Sequence, residues 1–399
     1  MAKDRKDGKS DSDSSSVSEA PANQKDSLRS FISTLATFSG DLSALTCPSF
    51  LLSSVSLLDQ FWGDHPKLFA AIPSGETPED RLLNCTRWFI STLYGSYSSR
   101  AGQEKKPYNP VLGEQYFAQW TGDEQTGDTI LRAEQVSHHP PIMGFHLENK
   151  NAGVVLEGHC GQKSRFAMPA GIDVYQNGHA MLTLPKFKET YLITLPSLQI
   201  RSIITGRPTV ELAGSSYIVS STGLFASIEY SGKGYFSGER NSFKAKLMPI
   251  SGDTPFYIAQ GVWSGVSNYS NGKKGSESRL FFDAKADLPI APELKPQTEM
   301  GPLESHKLWS DVTNAINNKD YSTASKEKSQ IEDAQRVLAK ERKEKGQTQA
   351  DALSVFLLVD EDADESRKAF KALKGQLIEL AGPKALREDE AKPHWKLRT

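Results

Sequence analysis

The sequence has few cysteines, no long hydrophobic run and almost no net charge. Its 399 residues include three cysteines, Cys47, Cys85 and Cys160, which are far apart and form no CxxC pair. This spacing argues against a disulfide framework and a cysteine-based zinc site, and it indicates a reducing compartment. No run approaches the roughly eighteen apolar residues of a membrane span, and the N-terminus lacks the apolar stretch of a signal peptide. We therefore expect a cytoplasmic protein.

The opposite charges nearly cancel. Forty-seven Lys and Arg residues face 49 Asp and Glu residues, which leaves a net charge of −2. Long-range attraction to a polyanion is therefore weak, and we expect no nucleic-acid partner. Any anion site must be a local cluster of cations.

The usual enzyme motifs are missing. GVWSG (261–265) is not a nucleophile elbow, and GKGYFSG (232–238) lacks the dinucleotide-binding spacing, so both predict hairpin turns. Glu134 and His138 are suitable for an acid/base pair, but nothing supplies a nucleophile. No group of potential ligands has a known metal-site spacing. The sequence predicts no enzyme, no metal and no cofactor.

The N-terminal part divides into a tail and an amphipathic helix. Residues 1–26 lack the hydrophobic residues needed for folding and are predicted to be disordered. In residues 27–46, Leu28, Phe31 and Leu35 recur at helical spacing, while small Ser and Thr residues fill the other face. This composition is typical of helices that settle on lipid, but a helix packed on the domain fits equally. Both interpretations agree if the helix is a lid.

Residues 47–127 are predicted to be an N-terminal helical region. Its clearest helix runs from about residue 77 to 97. Leu83, Trp88 and Leu93 have the spacing of core anchors on one helical face.

Residues 128–290 are predicted to be a β-barrel. About a dozen short apolar or alternating runs, punctuated by Gly, Pro, Asn and Ser, follow one another closely. This pattern is typical of an all-β barrel or sandwich and argues against βαβ units. More than eight strands in one closing sheet leave a lumen that can hold a ligand.

Residues 291–399 are predicted to be a C-terminal helical region. Ile331, Ala334 and Leu338 form an apolar stripe on a charged helix that ends near Gly346. LSVFLLV is compatible with a strand or a buried helix, and SRKAFKALKGQLIEL predicts a further helix.

EQVSHHPP (134–141) places two histidines before two prolines. Such a stretch can be a stiff surface corner, because proline fixes its own φ and restricts the preceding residue. Alternatively, His138 and His139 donate charge-assisted hydrogen bonds to a phosphomonoester. The second interpretation requires other cations to converge on the histidines.

Two segments offer such cations. Lys106 and Asn109 lie in a proline-rich loop, and Lys328, Glu332 and Arg336 follow one another at i, i+4 and i+8 on a predicted helix. Glu332 would then form ion pairs with both Lys328 and Arg336 and accept a hydrogen bond from a ligand hydroxyl. The alternative is a solvated helix face with weak ion pairs.

Three stretches together resemble the lipid-binding domain of the oxysterol-binding protein-related family. They are EQVSHHPP, the preceding KKPYNPVLGE and the following SSTGLFASIEYSGKGYFSGERNSFKAKL. The similarity runs from about residue 27 to 346, and the chain is most similar to the short fungal members.

The resemblance implies a mainly β fold with flanking helices. An incomplete, many-stranded antiparallel barrel would enclose a lipid tunnel, with an N-terminal amphipathic lid helix and a C-terminal helical segment. The headgroup of phosphatidylinositol 4-phosphate would bind at the tunnel mouth. The positions implied for it are Lys106, Tyr108, Asn109, His138, His139, Lys328, Glu332 and Arg336, with Tyr108 contributing its backbone.

A sterol would occupy the same tunnel. The positions implied for the tunnel wall are Trp62, Tyr97, Gln176, Phe31 and Leu35. Ser96 and Cys160 replace amides that assist the sterol hydroxyl elsewhere in the family. Because an unsatisfied buried hydroxyl costs about 1–3 kcal/mol, these departures weaken the expectation of sterol binding.

Two functions remain open at this stage. A lipid transfer protein would exchange a sterol and the phosphoinositide between membranes through one tunnel. A lipid sensor would report its ligand state to protein partners with little net transport. In both cases we expect a monomer in the cytoplasm that contacts organelle membranes transiently.

Overall fold

The computed structural model describes most of the chain. The described residues are 25–38, 42, 45, 47–60, 62–99, 105–167, 171–203, 209–232, 238–273, 275–359, 365–387 and 395–398. The predicted disordered tail therefore lies outside them, except for its last two residues, which begin the first helix. No helix within these ranges is both long enough and apolar enough to cross a membrane.

In the residues that the structure describes, the N-terminal part contains three α-helices and one small pair of strands. β1 and β2 pair in parallel, so this region is not wholly helical as predicted. A parallel pair this short carries no alternation that the sequence could reveal. In chain order the elements are α1 (Lys25–Thr37), β1 (Leu52–Ser56), α2 (Pro66–Ala70), α3 (Pro78–Tyr94) and β2 (Lys106–Tyr108).

One large antiparallel sheet forms the body of the protein. Fourteen strands take part; β3 and β16 lie at the two ends of the main path, and no pairing between them closes the sheet in the described residues. This confirms the prediction of an incomplete, many-stranded antiparallel barrel. The strands are β3 (Gln115–Trp120), β4 (Thr129–His138), β5 (Pro141–Asn149), β6 (Val154–Ala167), β7 (Gly171–Leu184), β8 (Glu189–Thr194), β9 (Ser197–Arg201), β10 (Thr209–Ala213), β11 (Ser215–Ser220), β12 (Leu224–Ser231), β13 (Ser242–Pro249), β14 (Tyr257–Val262), β15 (Val266–Asn271) and β16 (Arg279–Asp283).

The strand order follows the chain with one branch. From β3 to β8 and from β11 to β16 each strand pairs with its successor, and β8 pairs with β11. β9 pairs with the first half of β7, and β10 pairs with β9. The hairpin predicted at GVWSG joins β14 to β15 and is confirmed, whereas most of GKGYFSG lies outside the described residues.

The sheet differs from the sequence prediction at three strands. β3 begins at Gln115, before the predicted boundary at residue 128, and the polar strand β15 was missed. β7 is one strand, whereas two separate runs, GIDVYQ and HAMLTLP, indicated two strands in this range. Its Gly178 has a φ of 97°, and a Cβ there would lie 2.2 Å from the carbonyl oxygen of His159. Glycine therefore lets β7 continue beside β6, although Asn177-Gly178 predicts a turn.

Helix α3 packs against the inner face of the sheet. Thr77 caps it, with Asp80 completing a capping box. Its anchors Leu83, Trp88 and Leu93 are buried in the largest hydrophobic cluster, as predicted. The helix thus supplies the apolar filling that closes the end of the barrel interior.

The C-terminal part packs outside the sheet. LSVFLLV contains a short strand, β17, which pairs with β18 near the end of the chain, so this region is not wholly helical either. The elements are α4 (Ser305–Leu308), α5 (Ser310–Asn317), α6 (Tyr321–Glu344), β17 (Phe356–Leu358), α7 (Glu365–Ala381) and β18 (Trp395–Leu397).

A buried ion pair connects α3 to the sheet. Arg81 contacts Glu189 through two hydrogen bonds of 2.5 and 2.8 Å, and each side chain is 6% exposed. Tyr191 donates to the same carboxylate at 2.6 Å. Removing one partner would leave an uncompensated charge in the protein interior.

We expect Arg81→Met to lower the free energy of unfolding by about 3–5 kcal/mol, because Glu189 loses its countercharge. Urea denaturation measures this loss. Arg132→Met is the matched control, because the Arg132 side chain is 30% exposed beside Glu148. Its expected loss is below about 1 kcal/mol. Equal losses in both variants would contradict the importance of burial.

Candidate functional site

A cavity of about 240 Å³ lies between the lid helix and the inner face of the sheet. A single water molecule needs only about 10–15 Å³. The lid contributes Phe31 and Leu35 to the wall, and apolar residues of β7, β9 and β10 form much of the rest. The arrangement suits an apolar molecule.

The lid helix presents opposite chemistry on its two faces. Leu28 and Leu35 are buried, whereas the hydroxyl-bearing face is exposed. Thr34 donates its hydroxyl to the carbonyl of Ser30 at 3.0 Å. Thr37 bonds within the helix in the same way, and the charges on the exposed side are those of the pair Arg29 and Asp26.

Tyr97 lines the cavity near the end of α3, whereas its hydrogen-bond partner Gln176 is not among the lining residues. Gln176 donates to the Tyr97 hydroxyl at 2.9 Å and to the carbonyl of Pro196 at 2.7 Å. Burial raises the pKa of Tyr97, so its phenol stays neutral. Gln176 follows the cavity-lining residues Ile172 and Val174 on the same face of β7. The structure brings this predicted pair together.

Trp62 does not lie on the wall of this cavity. Its ring packs against Trp88, Phe89 and Phe145, with centroid separations of 5.2 to 6.2 Å. Trp62 therefore belongs to the aromatic core around α3 and supports the cavity from behind.

Two polar atoms in the wall have no hydrogen-bond partner within the described residues. They are Oγ of Ser96 and Oε1 of Gln135, both buried. Gln135 was missed by the sequence analysis, although it belongs to EQVSHHPP. The other departure, Cys160, is buried on β6 close enough to Tyr97 to influence its pKa. Ser96 and Gln135 can each bond a polar group of a ligand.

The proline-rich loop forms one side of the cavity mouth. Lys106 and Asn109 line the opening. The Tyr108 side chain is fully buried, stacks on Trp309 at 4.7 Å between ring centroids and bonds to Thr313 at 3.0 Å. Burial raises the pKa of Tyr108 to about 12. Its side chain is committed to the core, which leaves its backbone for a ligand.

The two histidines lie at the tip of the β4–β5 hairpin. Their ring centroids are 4.6 Å apart, and the His139–Pro140 peptide bond is cis. Nδ1 of His138 donates to the carbonyl of Pro110 at 3.1 Å, which joins the hairpin to the proline-rich loop. Nε2 of His138 is then available to a ligand. Burial, followed by the charge of His139, lowers the pKa of His138.

Helix α6 brings further charges to the mouth. Lys328 is buried and pairs with Glu332. Both lie close enough to Lys106 to influence its pKa, which partial desolvation by the surrounding protein lowers. The negative charge of Glu332 also acts on His138 and partly offsets the lowering of its pKa. The structure therefore brings two lysines, one carboxylate and the double histidine together.

Arg336 is placed differently from the prediction. It pairs with Asp333, and its side chain is 72% exposed. Glu332 therefore holds only Lys328 and not both cations. Asp333 is the next residue after Glu332 and points about 100° further around the helix, so the two ion pairs lie on different sides. The i, i+4 and i+8 spacing alone does not reveal which carboxylate Arg336 contacts.

The buried carboxylate of Glu134 anchors the C-terminal segment to the hairpin. It accepts hydrogen bonds from the backbone N–H groups of Ser354, Val355 and Phe356 at 2.8 to 3.1 Å. Burial raises the pKa of Glu134. The sequence suggested an acid/base pair with His138, but three backbone donors already occupy this carboxylate. Its partners lie about 220 residues away, so no local signal could have indicated them.

The fold and the site together define a protein with a lidded, mostly apolar cavity and a cluster of cations at its mouth. The family model described as oxysterol-binding protein matches residues 30–314. The chain is 43% identical over 367 residues to protein KES1 of Mycosarcoma maydis, covering 89% of this chain and 94% of that protein. The chain therefore belongs to the oxysterol-binding protein family, and the resemblance seen in its motifs is confirmed.

Solved structures show the same fold. The ORD domain of Osh1 in complex with cholesterol has a TM-score of 0.68 at 22% identity and covers 82% of each chain. The ORD of Osh3 from Saccharomyces cerevisiae in complex with PI(4)P has a TM-score of 0.62 at 21% identity, covering 83% of this chain and 86% of that one.

The charge of His139 can be tested through the pKa of His138. We expect NMR titration to place the pKa of His138 below its ordinary value of 6.5, and His139→Gln to move it upwards. Because the folded state disfavours protonated His138, its contribution to stability should decline as pH falls through 6.5 towards the folded pKa. An unchanged pKa of His138 in the variant would contradict this coupling.

Proposed function

We propose that this protein is a lipid transfer protein, which binds a sterol or phosphatidylinositol 4-phosphate in one cavity and exchanges them between membranes. The observation that carries the proposal is the joining of an apolar, lidded cavity to a cationic mouth. Relatives crystallised with cholesterol and with PI(4)P support this choice of ligands.

The headgroup would bind at the mouth. Lys106, Lys328, His138 and His139 would donate charge-assisted hydrogen bonds to the phosphate, each worth about 1.5–3 kcal/mol. Asn109, Glu332 and the backbone of Tyr108 would bond to inositol hydroxyls. Arg336 would join them only after leaving Asp333, because that pair occupies its guanidinium in the empty protein.

A sterol would use the apolar part of the same cavity. Phe31 and Leu35 would cover it from the lid. Tyr97 and Gln176 would form hydrogen bonds with its hydroxyl, and Trp62 would support the wall from behind. Ser96 offers an additional donor, since its hydroxyl has no partner in the described part of the chain.

The small free-energy difference between a lipid in a bilayer and a lipid in the cavity favours exchange over tight storage. A lipid that moves from a bilayer into an apolar cavity passes between two oily environments. It therefore gains little of the ~25 cal/mol/Å² that burial from water would provide. Two ligands of comparable affinity can then replace each other.

The proposed role involves no catalytic step. Glu134 is bound to three backbone donors, and the histidines would serve as donors to phosphate. We propose that the protein acts as a monomer in the cytoplasm and contacts organelle membranes transiently through the lid.

The double substitution His138→Ala, His139→Ala tests the proposed headgroup site. We expect it to reduce extraction of labelled phosphatidylinositol 4-phosphate from liposomes by at least about a hundredfold, because two charge-assisted hydrogen bonds are lost. Extraction of a labelled sterol should remain measurable.

His159→Ala, His179→Ala is the matched control, because these buried histidines lie on β6 and β7 at a separation of 5.0 Å between ring centroids. They do not line the cavity. Circular dichroism would verify that each variant is folded. Loss of sterol and phosphoinositide extraction together in a folded double-histidine variant would contradict the proposal.

A further inference from the structure

Gln135 is a polar residue on the apolar inner face of β4. Leu131 and Ala133 precede it at alternate positions and belong to the largest hydrophobic cluster, so the pleat of the strand directs Gln135 to the same side. Met143 lies opposite Gln135 on β5, and both residues line the cavity. An amide that is only 1% exposed therefore borders the space that a lipid would fill.

The backbone of Gln135 is held on both sides. Its N–H donates to the carbonyl of Glu114 at 2.8 Å, and its carbonyl accepts from the N–H of Gly113 at 2.9 Å. The carboxylate of Glu114 in turn accepts hydrogen bonds from the Ser305 hydroxyl at 2.7 Å and from Nε1 of Trp309 at 3.0 Å. Gln135 is thus held in place by buried contacts before a ligand binds, which lowers the entropy cost of a contact with that ligand.

The side-chain oxygen of Gln135 is an unsatisfied acceptor. Nε2 donates to the carbonyl oxygen of Ser137 at 2.8 Å. Because a carbonyl oxygen only accepts, the amide must turn its nitrogen towards Ser137 and its oxygen away. Oε1 has no hydrogen-bond partner among the residues that the structure describes. Since nearly every buried polar atom in a protein is hydrogen-bonded, this oxygen indicates a donor that arrives with a ligand.

An unsatisfied acceptor selects ligands by the groups that they donate. A hydroxyl group donates to it, whereas an ester carbonyl or a ketone has only acceptors to offer. A lipid that places an acceptor or an apolar group beside Gln135 leaves the amide oxygen buried without a bond. Such a mismatch discriminates strongly between ligands of similar shape.

We propose that Gln135 is a specificity-determining residue that accepts a hydrogen bond from a hydroxyl group of the bound lipid. This inference rests on the function proposed above and deepens it, because the cations of the mouth recognise charge and Gln135 recognises a neutral donor. Two lipids supply this chemistry: a sterol through its single hydroxyl, and a phosphoinositide through its inositol ring. The family resemblance implied no role for this residue.

Gln135→Met tests the acceptor in the full chain, because methionine has a similar length and lacks the amide oxygen. Extraction from liposomes would be measured for phosphatidylinositol 4-phosphate, for cholestanol and for cholestanone, which carries a ketone in place of the cholestanol hydroxyl. If the sterol is the donor, the preference of the protein for cholestanol over cholestanone falls about tenfold in the variant. If the inositol ring is the donor, phosphoinositide extraction falls about tenfold and both sterols are extracted as before.

Asn149→Leu is the matched control. Asn149 is also a 1% exposed amide, donates to the Thr129 hydroxyl at 3.0 Å and does not line the cavity. We expect this variant to keep the preferences of the unmodified protein. A purely structural role of Gln135, through its bond to Ser137, would lower the extraction of all three lipids equally, and that result would overturn the proposal.

A second measurement uses the unmodified protein and does not depend on the folding of a variant. The ¹³C NMR signal of the Gln135 side-chain carbonyl should move downfield when the donor lipid binds, because hydrogen bonding deshields a carbonyl carbon. Cholestanone should leave the signal where it lies in the empty protein. An identical signal in the empty protein and with each of the three lipids would overturn the proposal.

The failure of this inference differs from the failure of the proposed function. If the unmodified protein extracts none of the three lipids, the proposed function itself fails. If it extracts them and Gln135→Met does so with the same yields and preferences, only the role of Gln135 is overturned.

Discussion

Two lysine ammonium groups lie near one carboxylate at the mouth of an apolar cavity. Lys328 pairs with Glu332, and Lys106 lies close to both in a partly desolvated position. The local charge is therefore positive without a ligand. Burial is the main cause of the lowered pKa values of Lys106 and His138, and the neighbouring charges of Lys328 and His139 lower them further. An anion at the mouth would relieve this repulsion.

The rest of the structure brings these charges together from distant parts of the chain. The lysine of the proline-rich loop, the hairpin histidines and α6 meet because three connections hold them. His138 bonds to Pro110, Gln349 bonds to the hairpin backbone, and Glu134 anchors the following segment. Each connection uses a buried or half-buried polar group, so its loss would carry a desolvation cost.

The apolar half of the site depends on the open sheet. Because the sheet does not close, α3 fills one end of the interior and the lid helix covers the cavity. The lid presents apolar residues to the cavity, and its outer face carries Ser and Thr residues together with the exposed pair Arg29 and Asp26. Thr34 bonds its hydroxyl to a carbonyl of its own helix.

Much of this arrangement was predictable from local patterns. Alternation along the strands predicted the β-barrel, and the spacing of Leu28 and Leu35 predicted an amphipathic helix, which the family resemblance implied to be a lid. Polar β15 and the short β1–β2 pair were missed because neither carries a periodic apolar signal.

The remaining features depend on rotation and on long-range contacts. The pairing of Arg336 with Asp333 and the packing of Trp62 behind the wall follow from helix rotation and tertiary packing. Glu134 and Gln349 act through residues more than two hundred positions away. No short window of sequence contains this information.

A competition experiment tests the central claim that one cavity serves both lipids. Purified protein would be incubated with liposomes containing labelled phosphatidylinositol 4-phosphate, labelled sterol or both, and each label would be scored in the extracted fraction. The account predicts that each lipid displaces the other and that total extracted lipid stays at one molecule per protein. Independent extraction of both lipids, up to two molecules per protein, would contradict it.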